Sequence, residues 1–278
     1  MGIIHIFEKA VPVGYLTSPG SRLYFVCMIS SLIFGFVFYC YQFKFKFLKK
    51  FLPYFFNHKV LFHPSSRTDF YLFIFNFWIK TIIVIPFLFS EVKIIYFIQN
   101  SLVTIFPNYK PIALNPLIYS ILFTFIFFLI ADFSRFYLHH LLHKVSFLWE
   151  IHKVHHSATV MTPLTLFRAH PIESILSLIR QIIIVGLIAG IFSFLFAGKY
   201  QLITIFGVQI IGFLFNFFAS NLRHSHIPLS FGFTLESFLI SPLMHQIHHS
   251  VNENKNNKNL GSCLAIWDIL FDSYLRPD

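Results

Sequence analysis

Two five-residue stretches of this chain share one spacing. His152-Lys153-Val154-His155-His156 and His245-Gln246-Ile247-His248-His249 both read H-x-x-H-H, and His139-His140-Leu141-Leu142-His143 adds H-x-x-x-H. On an α-helix each residue turns by about 100°, so positions i, i+3 and i+4 fall on one face. His139 and His143 therefore share a face, as do His152, His155 and His156, and again His245, His248 and His249. Imidazole nitrogen binds zinc, copper, iron and nickel, and affinity order alone does not choose among them. Eight imidazoles exceed what one ion takes, whereas two ions with about four each keep positions open for an exogenous ligand. A closed structural zinc site has four ligands, usually including cysteine. No cysteine accompanies these histidines: Cys27, Cys40 and Cys263 form no C-x-x-C pair and read as small apolar residues.

The remaining histidines are less concentrated. Of fifteen in the chain, twelve lie between His139 and His249, including His140, His170, His224 and His226. His5, His58 and His63 stand alone and read as ordinary surface or core residues. Haem held between paired histidines is a competing chemistry, but such ligands lie singly inside membrane spans. These clusters fall past the ends of the apolar runs.

Those runs are what must position the histidines. Of the 278 residues, 56% are hydrophobic and only 12% charged, and the mean hydropathy is +0.70. An ordinary soluble domain carries about twice that share of charge. Such a chain is an integral membrane protein. A span needs about 20 apolar residues, and the expected spans are about 23–41, 70–89, 116–130, 175–196 and 202–218. The last two are split only by Ala197-Gly198-Lys199-Tyr200, a turn expected to give an antiparallel helical hairpin. A shorter apolar patch near 94–106 reads as interfacial or re-entrant. The expected fold is all-α: a multi-pass transmembrane helical bundle, one domain over 1–278, with a helical cap carrying the histidines.

Orientation follows from charge. Lys44, Lys46, Lys49, Lys50, Lys59 and Arg67 crowd one loop that has no acidic residue, which by the positive-inside rule faces the cytoplasm. Counting spans from there puts 131–174 and 219–278 on the same cytoplasmic side and the N-terminus outside. The formal charge of +10 is spread along membrane flanks, so anionic lipid headgroups are its partner and no nucleic acid is expected. The membrane is expected to be a bacterial inner membrane or that of the endoplasmic reticulum.

With these residues in hand, the chain resembles the fatty acid hydroxylase and sterol desaturase superfamily of membrane di-iron enzymes. The motifs run from Asp132 to about Tyr274, within a region of that type at about 116–276. DFSRFYLHHLLH resembles the family's first histidine box, LWEIHKVHHS its second, and MHQIHHS its third. TLFRAHPIE resembles the connecting R-x-H-P segment, RHSHIPLSFG the H-x-N segment, and NLGSCLAIWDILF the closing stretch. Two departures stand out. His140 occupies a position where the family usually has Arg, and His226 one where it usually has Asn. They leave open whether His226 joins the metal ligands and how hydrogen bonds around the metals are arranged.

The resemblance implies that His139, His143, His152, His155, His156, His245, His248 and His249 bind two irons, with His224 a further ligand. It makes Asp132 and Glu173 carboxylates that orient an imidazole from behind, and Arg168 and His170 residues that order the metal-bearing segment. It implies hydroxylation or desaturation of a lipid C–H bond with O2 as co-substrate. The lipid is a sterol, a fatty acyl chain or a relative. The electron donor is cytoplasmic, of cytochrome b5 or ferredoxin type. The alternative from another class is a membrane protein that binds or transports zinc or iron without oxidative activity. Transporters, however, place their ligands near the bilayer midplane on broken helices.

Overall fold

Between Pro116 and Lys144 the chain has no glycine, and its one proline occupies the first helical position, where a missing N–H costs nothing. The Asn115 side chain caps the start by accepting from Leu117 N at 2.8 Å. Nothing then interrupts the helix for 29 residues. The structure is a computed structural model that describes residues 14–46, 48–87, 90–198, 201–206, 208–218 and 220–277. His5, Lys199 and Tyr200 lie outside the described residues.

The main elements are α1 (Phe25–Phe43), α2 (Pro64–Phe87), α3 (Ser90–Ile105), α4 (Pro116–Lys144), α5 (Ser146–His156), α6 (Pro171–Phe196), the two-residue strands β1 (Thr204–Ile205) and β2 (Val208–Gln209), α7 (Ile210–Phe217) and α8 (Pro242–His248). Among the described residues, α1, α4 and α6 are long and apolar enough to cross a membrane. The expected span 116–130 is the first half of α4. A 29-residue helix is roughly 44 Å long against a hydrocarbon core of about 30 Å. The helix is thus longer than a single crossing needs, and its last turns carry His139 and His143 without an intervening loop.

The expected span 202–218 is not one helix. An antiparallel β1–β2 ladder pairs Thr204 with Gln209 and Ile205 with Val208, and α7 that follows has only 8 residues, about 12 Å of rise. Hydropathy does not distinguish the two outcomes, but residue type does. Ile203-Thr204-Ile205 and Val208 are β-branched and flank Gly207, a pattern that favours strand and turn. The non-helical backbone is held by protein groups. Ile203 N donates to Thr124 Oγ1 at 2.8 Å, and Gln209 caps α7 by accepting from Gly212 N.

The apolar patch near 94–106 forms the amphipathic α3, laid along α6. Gly186 and Gly190 make this approach possible. A Cβ at Gly186 would fall 2.6 Å from Ile94 Cβ, and one at Gly190 2.7 Å from Ile98 Cβ. Small residues four apart are a recurrent device for close helix packing in membranes. Tyr119, Phe123, Ile188, Phe192 and Phe196 bind α4 to α6 in the adjoining core. Together these contacts join the start of α4 to the end of α6, the ends of both helices remote from the histidines.

Candidate metal centre

The cap assembles histidines from five segments: the end of α4, α5, the 3-10 turn Ser220–His224, α8, and the loop beyond it. Their ring nitrogens fall into two groups. His139, His143, His152, His156 and His248 form the first, and His155, His224, His245 and His249 the second. Within each group the ligand atoms all lie within 4.8 Å of one another. Each H-x-x-H-H stretch is divided: His152 and His156 serve the first group while His155 serves the second, and His248 is separated likewise from His245 and His249. The groups are neighbours, with the rings of His156 and His249 stacked 4.6 Å apart.

Hydrogen bonds determine which nitrogen faces inward. His139 Nδ1 donates to Leu260 O at 2.7 Å, His248 Nδ1 to Lys258 O at 3.0 Å and His143 Nδ1 to Asn257 Oδ1 at 3.3 Å. His152 Nδ1 stands 3.1 Å from Glu173 Oε1. In the second group, His155 Nδ1 donates to Arg168 O at 3.2 Å. With Nδ1 carrying the proton, each of these rings presents an Nε2 lone pair to the centre of its group. The Nε2 atoms of His139 and His152 then face each other at 3.1 Å, and His224 Nε2 lies 3.1 Å from His245 Nε2. The Nε2 atoms of His143, His156, His248 and His249 are buried without a hydrogen-bond partner.

Facing lone pairs repel unless a cation lies between them or one ring is protonated. Protonation is opposed: burial, reinforced by neighbouring imidazoles, pushes His155 down to about 4 and lowers His152 and His156 as well. His224, His245, His248 and His249 are held well below the usual imidazole value for the same reasons. Neutral, converging, otherwise unsatisfied imidazoles are a donor set that fits nitrogen-binding divalent metals such as iron. The oriented Nδ1–H groups behind them match the usual support of metal-binding histidines.

The oxygens behind the imidazoles are themselves anchored. Leu260, whose carbonyl receives His139, is held by its own N–H donating to Asp268 Oδ1 at 2.7 Å, while Gly261 N donates to Asp268 Oδ2 at 2.8 Å. Arg168, whose carbonyl receives His155, makes a buried ion pair with Asp69 at 2.9 Å. Its guanidinium also donates to Ser157 Oγ at 3.0 Å and to Ser65 Oγ at 3.1 Å. The Asp69 carboxylate in turn accepts from Thr165 Oγ1. Asp69 is fully buried and was not among the residues singled out from sequence. Its only signal there is a carboxylate at the edge of an apolar run, a placement that is expensive and so calls for a partner. Trp149 lies against the His143 and His156 rings, at 5.1 and 5.4 Å, and screens the first group on one side.

Other sequence candidates lie elsewhere. Asp132 does not orient an imidazole: its Oδ2 accepts from Leu264 N and Trp267 Nε1, both at 3.0 Å, tying α4 to the C-terminal segment. His170 caps α6, accepting from Ile172 N at 3.2 Å. His226 stands outside both groups and donates through Nε2 to Tyr54 O at 2.8 Å. His140 packs on Phe136 and Phe271. A capping histidine and a metal ligand look alike in sequence, and only the neighbouring chain separates them.

An apolar cavity of about 440 Å³ opens beside the cap, lined by Phe34, Phe128, Phe215, Phe231, Leu239 and Cys263 among others.

Residues 124–273, more than half of the chain, match the family model described as fatty acid hydroxylase. The chain belongs to the fatty acid hydroxylase family. Both histidine groups lie inside the fatty acid hydroxylase region, whereas Asp69 lies outside it. The chain is 26% identical over 147 residues to alkylglycerol monooxygenase of Homo sapiens, covering 53% of this chain and 29% of that protein. It is 30% identical over 149 residues to ornithine lipid hydroxylase OlsE of Rhizobium tropici, covering 53% of this chain and 40% of that protein. The match thus spans less than half the length of either relative. No solved structure matches the chain.

Proposed function

We propose that this protein is an integral-membrane hydroxylase that inserts one oxygen atom of O2 into a C–H bond of a lipid, with two irons held by its histidines. His139, His143, His152, His156 and His248 hold one iron, and His155, His224, His245 and His249 the other. The observation that carries this reading is the convergence of buried, proton-poor Nε2 atoms in two adjacent groups. When bound, the irons supply the oxidising power toward an unactivated C–H bond that no side chain possesses.

The chain's own residues hold and shield. Leu260 O, Asn257, Glu173, Lys258 O and Arg168 O keep the imidazoles in one tautomer and orientation. Burial of His155, His224, His245 and His248 keeps bulk water from the reacting centre, and the apolar cavity receives the lipid chain. The reaction consumes R–H, O2, two electrons and two protons and gives R–OH and water. An external one-electron carrier of cytochrome b5 or ferredoxin type supplies the electrons. The histidine-bearing cap faces the cytoplasm, where such carriers are reduced. Similarity to a monooxygenase and a hydroxylase supports hydroxylation over desaturation.

The test is metal analysis joined to lipid turnover in purified, iron-loaded protein. About two irons per chain and an O2-dependent hydroxylated lipid are expected. His155→Ala and His248→Ala should abolish the product while the protein stays in the membrane, because insertion depends on the apolar helices. His58→Ala, remote from both groups, should be nearly silent. A tightly held zinc with no iron in iron-replete cells, or wild-type yield from the two histidine variants, overturns the reading.

A further inference from the structure

The carbonyls that receive His139 and His248 belong to two peptide units of one short stretch. His139 Nδ1 donates to Leu260 O at 2.7 Å and His248 Nδ1 to Lys258 O at 3.0 Å. A peptide unit is planar and trans, so its N–H points opposite to its C=O. Leu260 O shares its unit with the N–H of Gly261, and Lys258 O shares its unit with the N–H of Asn259. Whatever holds those two N–H groups sets the direction of both carbonyls, and through them the direction of the two imidazoles.

Both N–H groups lead to one side chain. Gly261 N donates to Asp268 Oδ2 at 2.8 Å, and Leu260 N to Asp268 Oδ1 at 2.7 Å. Asn259 N donates to Ser273 O at 2.7 Å. Ser273 is in turn bound to Asp268 twice, through its N–H to the Asp268 carbonyl at 2.8 Å and through its hydroxyl to Oδ1 at 2.6 Å. Asp268 and Asn259 are fully buried. The backbone is shaped to admit the carboxylate, since a Cβ at Gly261 would fall 2.7 Å from Asp268 Oδ2. A carboxylate accepts on both oxygens, which a side-chain amide does not. An N–H that donates to it polarises its own peptide unit and makes the carbonyl a stronger acceptor.

The same stretch meets a third ring of the first group, because His143 Nδ1 donates to Asn257 Oδ1 at 3.3 Å. The second group is supported from another part of the chain. His155 Nδ1 donates to Arg168 O at 3.2 Å, and Arg168 is paired with Asp69.

We propose that Asp268 is a positioning residue for the first histidine group, aiming His139 and His248 through two peptide units, and that it serves this group and not the second. The proposal deepens the reading of the two groups as iron sites and rests on it.

The test compares full-length wild type, Asp268→Ala and Asp268→Asn after iron loading, by competition with graded chelators and by Mössbauer spectroscopy. His143→Ala and His224→Ala assign the signals of the first and second groups. Asp268→Ala should weaken the first-group ion roughly 10- to 100-fold and leave the second unchanged. Asp268→Asn, which keeps one acceptor oxygen, should lose less. A brace with no part in aiming ligands would instead weaken both ions alike as the fold loosens. Nitrogen NMR of metal-free protein labelled in histidine reads the tautomers directly. His139 and His248, held as Nδ1–H in the wild type, should become mixed in Asp268→Ala. If Asp268→Ala does not fold, Gly261→Ala, whose added Cβ pushes the carboxylate away, carries the same comparison. The proposal is overturned if the first-group ion is not the one preferentially weakened, or if the tautomers are unchanged. A wild type that takes up no iron refutes the iron reading alone, and the tautomers then decide the role of Asp268 by themselves.

Discussion

Glu173 Oε1 stands 3.1 Å from Nδ1 of His152. The two residues lie on different helices, α6 and α5, so the contact couples a helix long and apolar enough to cross a membrane to the first histidine group. A carboxylate this close favours the proton on Nδ1 and so an Nε2 lone pair turned inward, and it raises the basicity of the ring.

Glu173→Ala should therefore weaken metal binding at the first group by roughly 10- to 100-fold, and Glu173→Gln, which keeps an acceptor oxygen, by less. Competition with a graded series of chelators measures it. Equal affinity in all three proteins would show that the contact does not tune the ligand.

His224 has no H-x-x-H-H pattern of its own, yet its Nε2 lies 3.4 Å from His155 Nε2 and 3.1 Å from His245 Nε2. Loss of this shared neighbour should cost the second group its ion first. His224→Ala is expected to retain about one metal per chain while two remain in the wild type, since each group is a separate donor set. His226→Ala, which loses only a bond to Tyr54 O, should keep both. Metal counting by mass spectrometry separates these outcomes.

Asp69→Ala leaves Arg168 as a buried cation with its ion-pair partner gone. Breaking one side of a buried pair costs about 3–5 kcal/mol, so the thermal midpoint in detergent should fall sharply. The second group should also lose metal affinity, because Arg168 O is the acceptor for His155. A midpoint within a degree of wild type would mean that solvent reaches Arg168.

Acid should unfold the metal-free protein easily. The folded state holds His155, His156, His224, His245, His248 and His249 below the usual imidazole value, so protons bind the unfolded chain more readily. Depressed folded values contribute stability that is complete above about pH 6.5 and erodes as pH falls below it. At pH 5.5 each fully buried imidazole costs roughly 1 kcal/mol of stability. Thermal unfolding of metal-free protein at pH 7.5 and 5.5 should show a clear drop, and metal loading should reduce it. A midpoint independent of pH over that range would contradict the buried, neutral state of these rings.

The histidines that converge in the cap were legible in the sequence because a shared helix face imposes a spacing. Imidazoles at i, i+3 and i+4 share a helix face whatever the rest of the fold does, so the eight box histidines stand out against an apolar background. Long apolar runs likewise announced α1, α4 and α6, since about twenty residues without charge have few other stable environments. The division of each H-x-x-H-H stretch between two groups was not legible. It depends on where α4, α8 and the Ser220–His224 turn meet α5, and those contacts join residues far apart in the chain.

The same limit explains the misread stretch and the missed carboxylate. Residues 202–218 are as apolar as a span, and only the packing of Thr124, Gln209 and α1 around them decides for a short ladder and an eight-residue helix. Asp69, Asp132 and His170 each carried the right atoms for supporting a metal ligand. Their roles were decided by geometry alone: Asp69 reaches Arg168, Asp132 reaches Trp267, and His170 turns back to cap its own helix. Sequence determined which donor atoms and which apolar lengths this protein has, because both are local properties. Tertiary structure decided which donors meet, because a hydrogen bond or a shared ion requires atoms within about 3 Å, and only the packed chain sets those distances.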